Sequence, residues 1–332
     1  MHVGRSYSLI DFVRWSRRSI AYMLVVSAAA VAVYMLPGFT GFSIPWQITT
    51  VVGTTVSLVA GFKNAQVFTR SSEALQIFAQ ISASSRMWTS LCRDFCEPAT
   101  ARTMIHRHIG WMTALRFSLR RRMPWETMGR PASAEFRRRY HIQEDAASLS
   151  AELKAVLPGE ASMILANARP PIAVLELQMA QTAELLRDGK VPTSAYGEML
   201  KVMRDLQDQQ ARCDRIKNSP YPRQYAIVST MFVMIFCTLL PFGAVPFFAA
   251  LGEAGGLLGE VAIWLTIPFS TLLGWMYMSL DQVGESTSNP FEGGANDVPI
   301  SQICRDLEIE MRTALGETEL PPALPPVNGF AT

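Results

Sequence analysis

The chain reads as an all-α membrane protein with four transmembrane helices and a large cytosolic helical domain, and three observations lead there. Charge is scarce: Asp, Glu, Lys and Arg make up 17% of the 332 residues, against about 25% in a typical soluble protein. The scarcity is local, because residues 19–62, 224–252 and 261–280 hold none of these four residue types. The remainder, above all residues 63–223, alternates apolar and polar side chains at helical spacing with little strand signal. Ordinary usage of proline and glycine, 20 and 21 residues, excludes collagen-like and low-complexity classes.

Each charge-free stretch is measured against the bilayer. A helix rises about 1.5 Å per residue and the hydrocarbon core is about 30 Å thick, so roughly 20 residues cross once. Residues 19–62 therefore hold two crossings. The turn-forming run Pro37-Gly38-Phe39-Thr40-Gly41-Phe42 before Pro45 divides them into spans near 19–36 and 45–66. The stretches 224–252 and 261–280 supply the third and fourth.

Basic residues near span ends stay on the cytoplasmic side. Residues 63–223 hold 24 of the 30 Lys and Arg, and the head carries Arg5, Arg14, Arg17 and Arg18. The connection 37–44 is uncharged and that from Glu253 to Glu260 has acids but no base, so both read as external. Both termini and the middle segment are then cytoplasmic. Ala28-Ala29-Ala30 after an apolar run has the look of a signal-cleavage site, but the apolar stretch continues from Val31 to Leu36, so the helix is expected to be retained.

The middle segment divides into about five helices at Glu97-Pro98, at Met123-Pro124 through Arg130-Pro131, at Pro158-Gly159 and from Asp188-Gly189 to Pro192. Arg169-Pro170-Pro171 should kink or interrupt the piece from Gly159 to Leu186, since proline lacks the backbone donor and clashes with the preceding turn. From Asp281 to Pro299 the chain is acidic and turn-rich, so it wraps rather than spans. Ser301 to Leu315 reads as an amphipathic helix with Ile303, Leu307 and Met311 on one face, and the Pro-rich end as loose. The expected organisation is a cytosolic N-terminal segment 1–18, spans one and two in 19–66, a cytosolic helical domain 67–218, spans three and four in 219–280, a cytosolic wrap and helix 281–315, and a flexible tail 316–332.

No catalytic constellation emerges, and no enzyme, cofactor or metal is expected. There is no GxGxxG, Walker or GxSxG motif. His106 and His108 lie two apart, which on a helix points them in different directions. Cys92 and Cys96, one turn apart, read as semi-buried thiols in the absence of a second pair, and five cysteines give no disulfide framework. Asp281, Glu285, Glu292 and Asp297 lack the dense spacing of a calcium loop and read as capping and turn residues. The runs Arg120-Arg121-Arg122 and Arg137-Arg138-Arg139 read as a solvated face near the membrane, with lipid headgroups as the alternative partner. A net charge of +2 and no aromatic interleaving exclude nucleic acid.

The second span is the least apolar of the four. Thr50, Thr54, Leu58 and Phe62 stand four apart on one side, while Gly53 and Gly61 permit close approach of neighbouring helices. That pattern suits a lined constriction and ordinary bundle packing equally.

Three segments carry a resemblance to the bestrophins, in particular their bacterial members. They are Gly61-Phe62-Lys63-Asn64 with Thr69-Arg70 and Glu73-Ala74; the run from Cys213-Asp214-Arg215 through Asn218-Ser219-Pro220-Tyr221-Pro222; and Asp281-Gln282-Val283-Gly284-Glu285 continuing to Asn289-Pro290-Phe291-Glu292 and Asp297-Val298-Pro299. Their order and the four-span layout agree over about residues 1–315.

The resemblance implies a homopentameric ion channel with one axial pore, in a bacterial inner membrane, whose partners are its own copies, monovalent ions and lipids. It implies a membrane neck lined by Thr54, Leu58 and Phe62, and a cytosolic aperture near Ser194 or Thr193, with Val191 the next candidate. Animal members carry a run of acids after Asn-Pro-Phe that helps bind calcium; here that place reads Glu292-Gly293-Gly294-Ala295-Asn296-Asp297, which argues against calcium activation. Only Phe62 is aromatic in the neck, so the ring of electropositive phenyl edges that favours anions is thin, and cation conduction is the expected preference. A chloride channel of the same fold is the alternative. A secondary transporter would show a charged residue in an apolar span core and internal repeats, and a membrane-anchored scaffold would show no flux.

Overall fold

Proline and glycine set most of the helix boundaries. In the computed structural model, which describes residues 1–4, 7–38, 42–127, 129, 131–253 and 259–332, the elements are α1 (Leu9–Met35), α2 (Trp46–Phe95), α3 (Pro98–Arg120), α4 (Pro131–Arg137), α5 (Gln143–Ala146), α6 (Leu149–Val156), α7 (Ala161–Ala166), α8 (Pro170–Arg187), α9 (Thr193–Asn218), α10 (Arg223–Glu253), a 3₁₀ turn (Gly259–Leu265), α11 (Thr266–Ser286) and α12 (Ile300–Ala314). Pro98 and Pro170 stand at the first turn of their helices, where a missing N–H costs nothing. Gly189, at φ +68°, makes the reversal between α8 and α9 in a left-handed conformation that favours glycine. Parts of two expected connections, residues 39–41 and 254–258, lie outside the described residues, as do Arg5 and Arg130.

The chain forms two compact units. The apolar unit comprises residues 5–69 and 221–288, that is α1, the first half of α2, α10, the 3₁₀ turn and α11. Met23, Val56, Val233, Phe236, Cys237 and Leu240 form its core, with Ala30, Val31 and Val245 as a second cluster. Gly274 lies against the Met23 side chain and Gly243 against Thr49, so small residues let these helices approach closely. Polar side chains reach across the interfaces: Trp275 Nε1 donates to Ser16 Oγ and Gln282 Nε2 to Ser19 Oγ, both at 2.7 Å. The outer surface stays apolar, with Val25, Ile227, Phe247, Phe269 and Met276 exposed, as lipid-facing side chains would be.

Three helical stretches among the described residues are long and apolar enough to cross a membrane: Leu9–Met35, Arg223–Glu253 and Val261–Ser286. The remaining expected span, 45–66, forms the start of α2, whose Thr49, Thr50, Gly53, Thr54, Thr55 and Ser57 dilute its hydropathy.

The polar unit comprises residues 1–4, 70–220 and 289–332. It is built around α3, which packs on α6, α8, α9 and α12. Trp111, wholly buried on α3, donates Nε1 to Gln210 Oε1 of α9 at 2.8 Å. His108 shares a hydrogen bond with Ser85 Oγ at 2.9 Å, and complete burial holds its imidazole down at about 3. His106 instead meets Glu317 at 2.7 Å, so the two histidines do point apart.

Several expectations for this unit are corrected. The interruption expected at Arg169-Pro170-Pro171 is present and separates α7 from α8, whereas the stretch between Pro131 and Pro158, expected as one helix, divides into α4, α5 and α6. Their four to eight residues are too few to display a helical period. Arg120 is not on a solvated face: it is buried, with Nη1 donating to Phe291 O at 3.2 Å. The buried stripe of α12 runs Ile300, Cys304, Leu307 and Met311, with Ile303 only half-buried. The tail is not loose at its end, since Phe330 is buried and stacks on Tyr140 at 4.9 Å between ring centroids.

Candidate functional site

Helix α2 faces two ways. Within the apolar unit, Gly53, Val56, Ala60, Lys63 and Val67 are buried, at alternating spacings of three and four that trace one stripe along a helix. Gly53 has the Phe236 ring against its α-carbon, where an added Cβ would sit 2.7 Å from Cε2. The other side carries Thr54, Leu58 and Phe62, all exposed, Leu58 at 60% and Phe62 at 56%. Thr50 and Thr54 turn their hydroxyls back to the carbonyls of Trp46 and Thr50, at 3.0 and 2.9 Å, so the helix satisfies its own polar groups on that side. Leu58 and Phe62 present no ion ligand.

The register of this face is held by a pair that sequence reading missed. Lys63 Nζ donates to Asp281 Oδ1 at 2.6 Å, both side chains nearly inaccessible, and Asp281 Oδ2 accepts from Thr230 Oγ1 at 2.9 Å. Asp281 is therefore not a capping residue but a link joining α2, α10 and α11. Asn64 Nδ2 adds a bond to Leu280 O at 3.4 Å, and Gly284 leaves room for the Asn64 amide. The sequence signal was Lys63 closing the first charge-free stretch and Asp281 closing the last; their separation of 218 residues hid the pairing.

In the polar unit, Thr193 and Ser194 are exposed at the first turn of α9. Neither caps the helix, because Pro192 is the N-cap and no side chain accepts there. Val191, at 2% exposure, belongs to the core. Further along α9, Glu198 and Lys201 pair at 2.7 Å on the exposed side.

The segment after α11 forms a closed polar cluster. Glu292 accepts from Thr127 N at 2.9 Å and from the Asn289 amide, and burial with the neighbouring Asp297 pushes its carboxyl up to about 8. Asp297 Oδ2 accepts from Gly294 N at 2.7 Å, the turn duty expected of it, and burial raises its carboxyl. Lys217 pairs with Glu126, and burial lowers its ammonium. Among the described residues no three His, Cys, Asp or Glu side chains converge as metal ligands.

Comparison with known proteins accords with this architecture. The Voltage-dependent anion channel-forming protein YneE of Escherichia coli (strain K12) is 24% identical over 301 residues, covering 89% of this chain and 85% of that protein. A Voltage-dependent anion channel-forming protein of Mesorhizobium japonicum is 24% identical over 283 residues, 84% of this chain and 77% of that protein. The crystal structure of a bacterial bestrophin homolog from Klebsiella pneumoniae superposes with a TM-score of 0.76 at 21% identity, over 91% of this chain and 99% of that one. Residues 15–313 match the family described as Bacterial/Fungal Bestrophin protein, and the chain belongs to that family.

Proposed function

We propose that this chain forms a membrane ion channel in which five copies surround a single axial pore. The observation that carries this reading is the exposed face Thr54, Leu58 and Phe62, on a helix whose opposite stripe is fully engaged in its own protomer. A lone protomer has no ring, whereas cyclic symmetry repeats one helix face about an axis and encloses water. In this reading α1, the first half of α2, α10 and α11 are four spans of a bacterial inner membrane, with both termini and the polar unit cytoplasmic. Leu58 and Phe62 form a hydrophobic neck that passes ions according to its diameter and hydration. Thr193 and Ser194, both exposed, form the cytosolic aperture.

Monovalent cations are the proposed permeant ions, because Phe62 alone supplies aromatic edges in the neck. The names of the relatives favour a second reading, anion conduction. Purified protein reconstituted in liposomes under a sodium chloride gradient decides between them. A reversal potential displaced toward the sodium equilibrium value supports cation conduction, and one displaced toward chloride supports the second reading. Absence of flux, or flux that saturates as a carrier's does, refutes the channel.

A further inference from the structure

The polar unit contains a cavity of about 820 Å³ between the end of α3, the α5–α6 junction, the start of α8 and the end of α9. Its size falls in the range of small-molecule sites, about 300–1,000 Å³. Phe117, Leu149, Pro171 and Ile172 give it apolar walls, and Arg120, Arg121, Arg122 and Arg169 give it a basic lining.

Its charge balance is one-sided. Of the three acids that line it, Glu144 is held by Arg116 at 2.5 Å and Asp145 by Arg137, neither of which lines the cavity, and Asp145 is also met by the lining Arg122 at 3.2 Å. The third, Asp214, lies in the field of Arg121 and Arg169, and it accepts from Gln210. Arg121 and Arg169 form no ion pair among the described residues, and both are exposed. Arg120 is buried at 5% exposure, yet its Nε and Nη2 donate to nothing among the described residues. Glu144, 3.6 Å from Nε, is too distant for a hydrogen bond. Helix α8 opens on the same space with no side-chain cap, so the positive end of an 18-residue helix adds to the field.

We propose that this cavity binds the phosphate group of a small phosphorylated organic molecule, with Arg121, Arg122 and Arg169 at its rim and Arg120 at its base. Planar guanidinium forks match phosphate oxygens in bidentate geometry, and the apolar walls receive the organic part. The phosphate comes from a soluble metabolite or from a lipid headgroup. None of the neck or aperture residues lines the cavity, so binding is tested apart from conduction.

The test is calorimetric titration of the purified, detergent-solubilised protein with inorganic pyrophosphate and, separately, with dihexanoyl phosphatidic acid. Saturable binding is expected, with pyrophosphate tighter for a soluble source and phosphatidic acid tighter for a lipid source. Arg121→Ala and Arg169→Ala should each weaken it about tenfold, as loss of a charge-assisted pair does. Asp214→Asn should tighten it by removing the competing carboxylate, and Arg204→Ala, an exposed arginine of α9 outside the cavity, should change nothing. Absence of saturable binding by both probes overturns the proposal, as does equal weakening by Arg204→Ala. Thermal midpoints of the variants at exposed Arg121 and Arg169 verify that the fold is intact.

Discussion

Replacing Lys63 by methionine probes the link that fixes α2 against its own bundle. The change keeps the length of the aliphatic stem but removes the ammonium, leaving the Asp281 carboxylate inaccessible with Thr230 as its remaining side-chain donor. Removing one partner of a buried pair costs about 3–5 kcal/mol, because the other charge stays desolvated. With about 2–4 °C of melting temperature per kcal/mol for a chain of a few hundred residues, the midpoint should fall by about 10 °C. The assay is thermal unfolding of the purified protein in detergent, followed by tryptophan fluorescence. The double variant Lys63→Met/Asp281→Leu has no stranded charge, and replacing a buried pair by apolar groups is often neutral or stabilising, so it should recover most of the loss. A single variant as stable as wild type, or a double variant worse than the single, would refute the argument that desolvation of Asp281 sets the energy.

Three further outcomes follow from the same geometry. Leu58→Ala and Phe62→Ala should raise conductance and relax selectivity in reconstituted protein, and unchanged currents would take both residues out of the pore. Glu292 has a carboxyl raised from 4.5 to about 8 in the fold, so the native state holds its proton more tightly than the unfolded chain. Its contribution is fully present below pH about 4.5 and is lost as pH rises through about 8, by up to about 1.4 kcal/mol per pH unit in that window. A Glu292→Gln variant should show a flatter fall of melting temperature with pH than wild type, and parallel curves would contradict the assignment. Gly53→Ala places a methyl 2.7 Å from the Phe236 ring, and overpacking of this kind should cost about 1–3 kcal/mol, read as a lower thermal midpoint.

The sequence by itself determined the helical class, because a residue's period along a helix and the thickness of a bilayer are local quantities. The first charge-free stretch ends at Phe62 and the last begins after Glu260, and proline at positions 98 and 170 marks helix starts that the structure retains. The four-residue spacing of Thr54, Leu58 and Phe62 was legible for the same reason, although packing and pore lining write the same period.

Only the tertiary structure decided which of those faces is engaged. Gly53, Val56 and Ala60 are buried while Leu58 is not, which depends on neighbours from the far end of the chain. The Lys63–Asp281 pair, the burial of Arg120 beside Phe291 and the docking of Phe330 on Tyr140 each join residues more than 150 positions apart. Such contacts leave no periodic trace, because the burial that makes them costly or favourable exists only once distant segments have excluded water together.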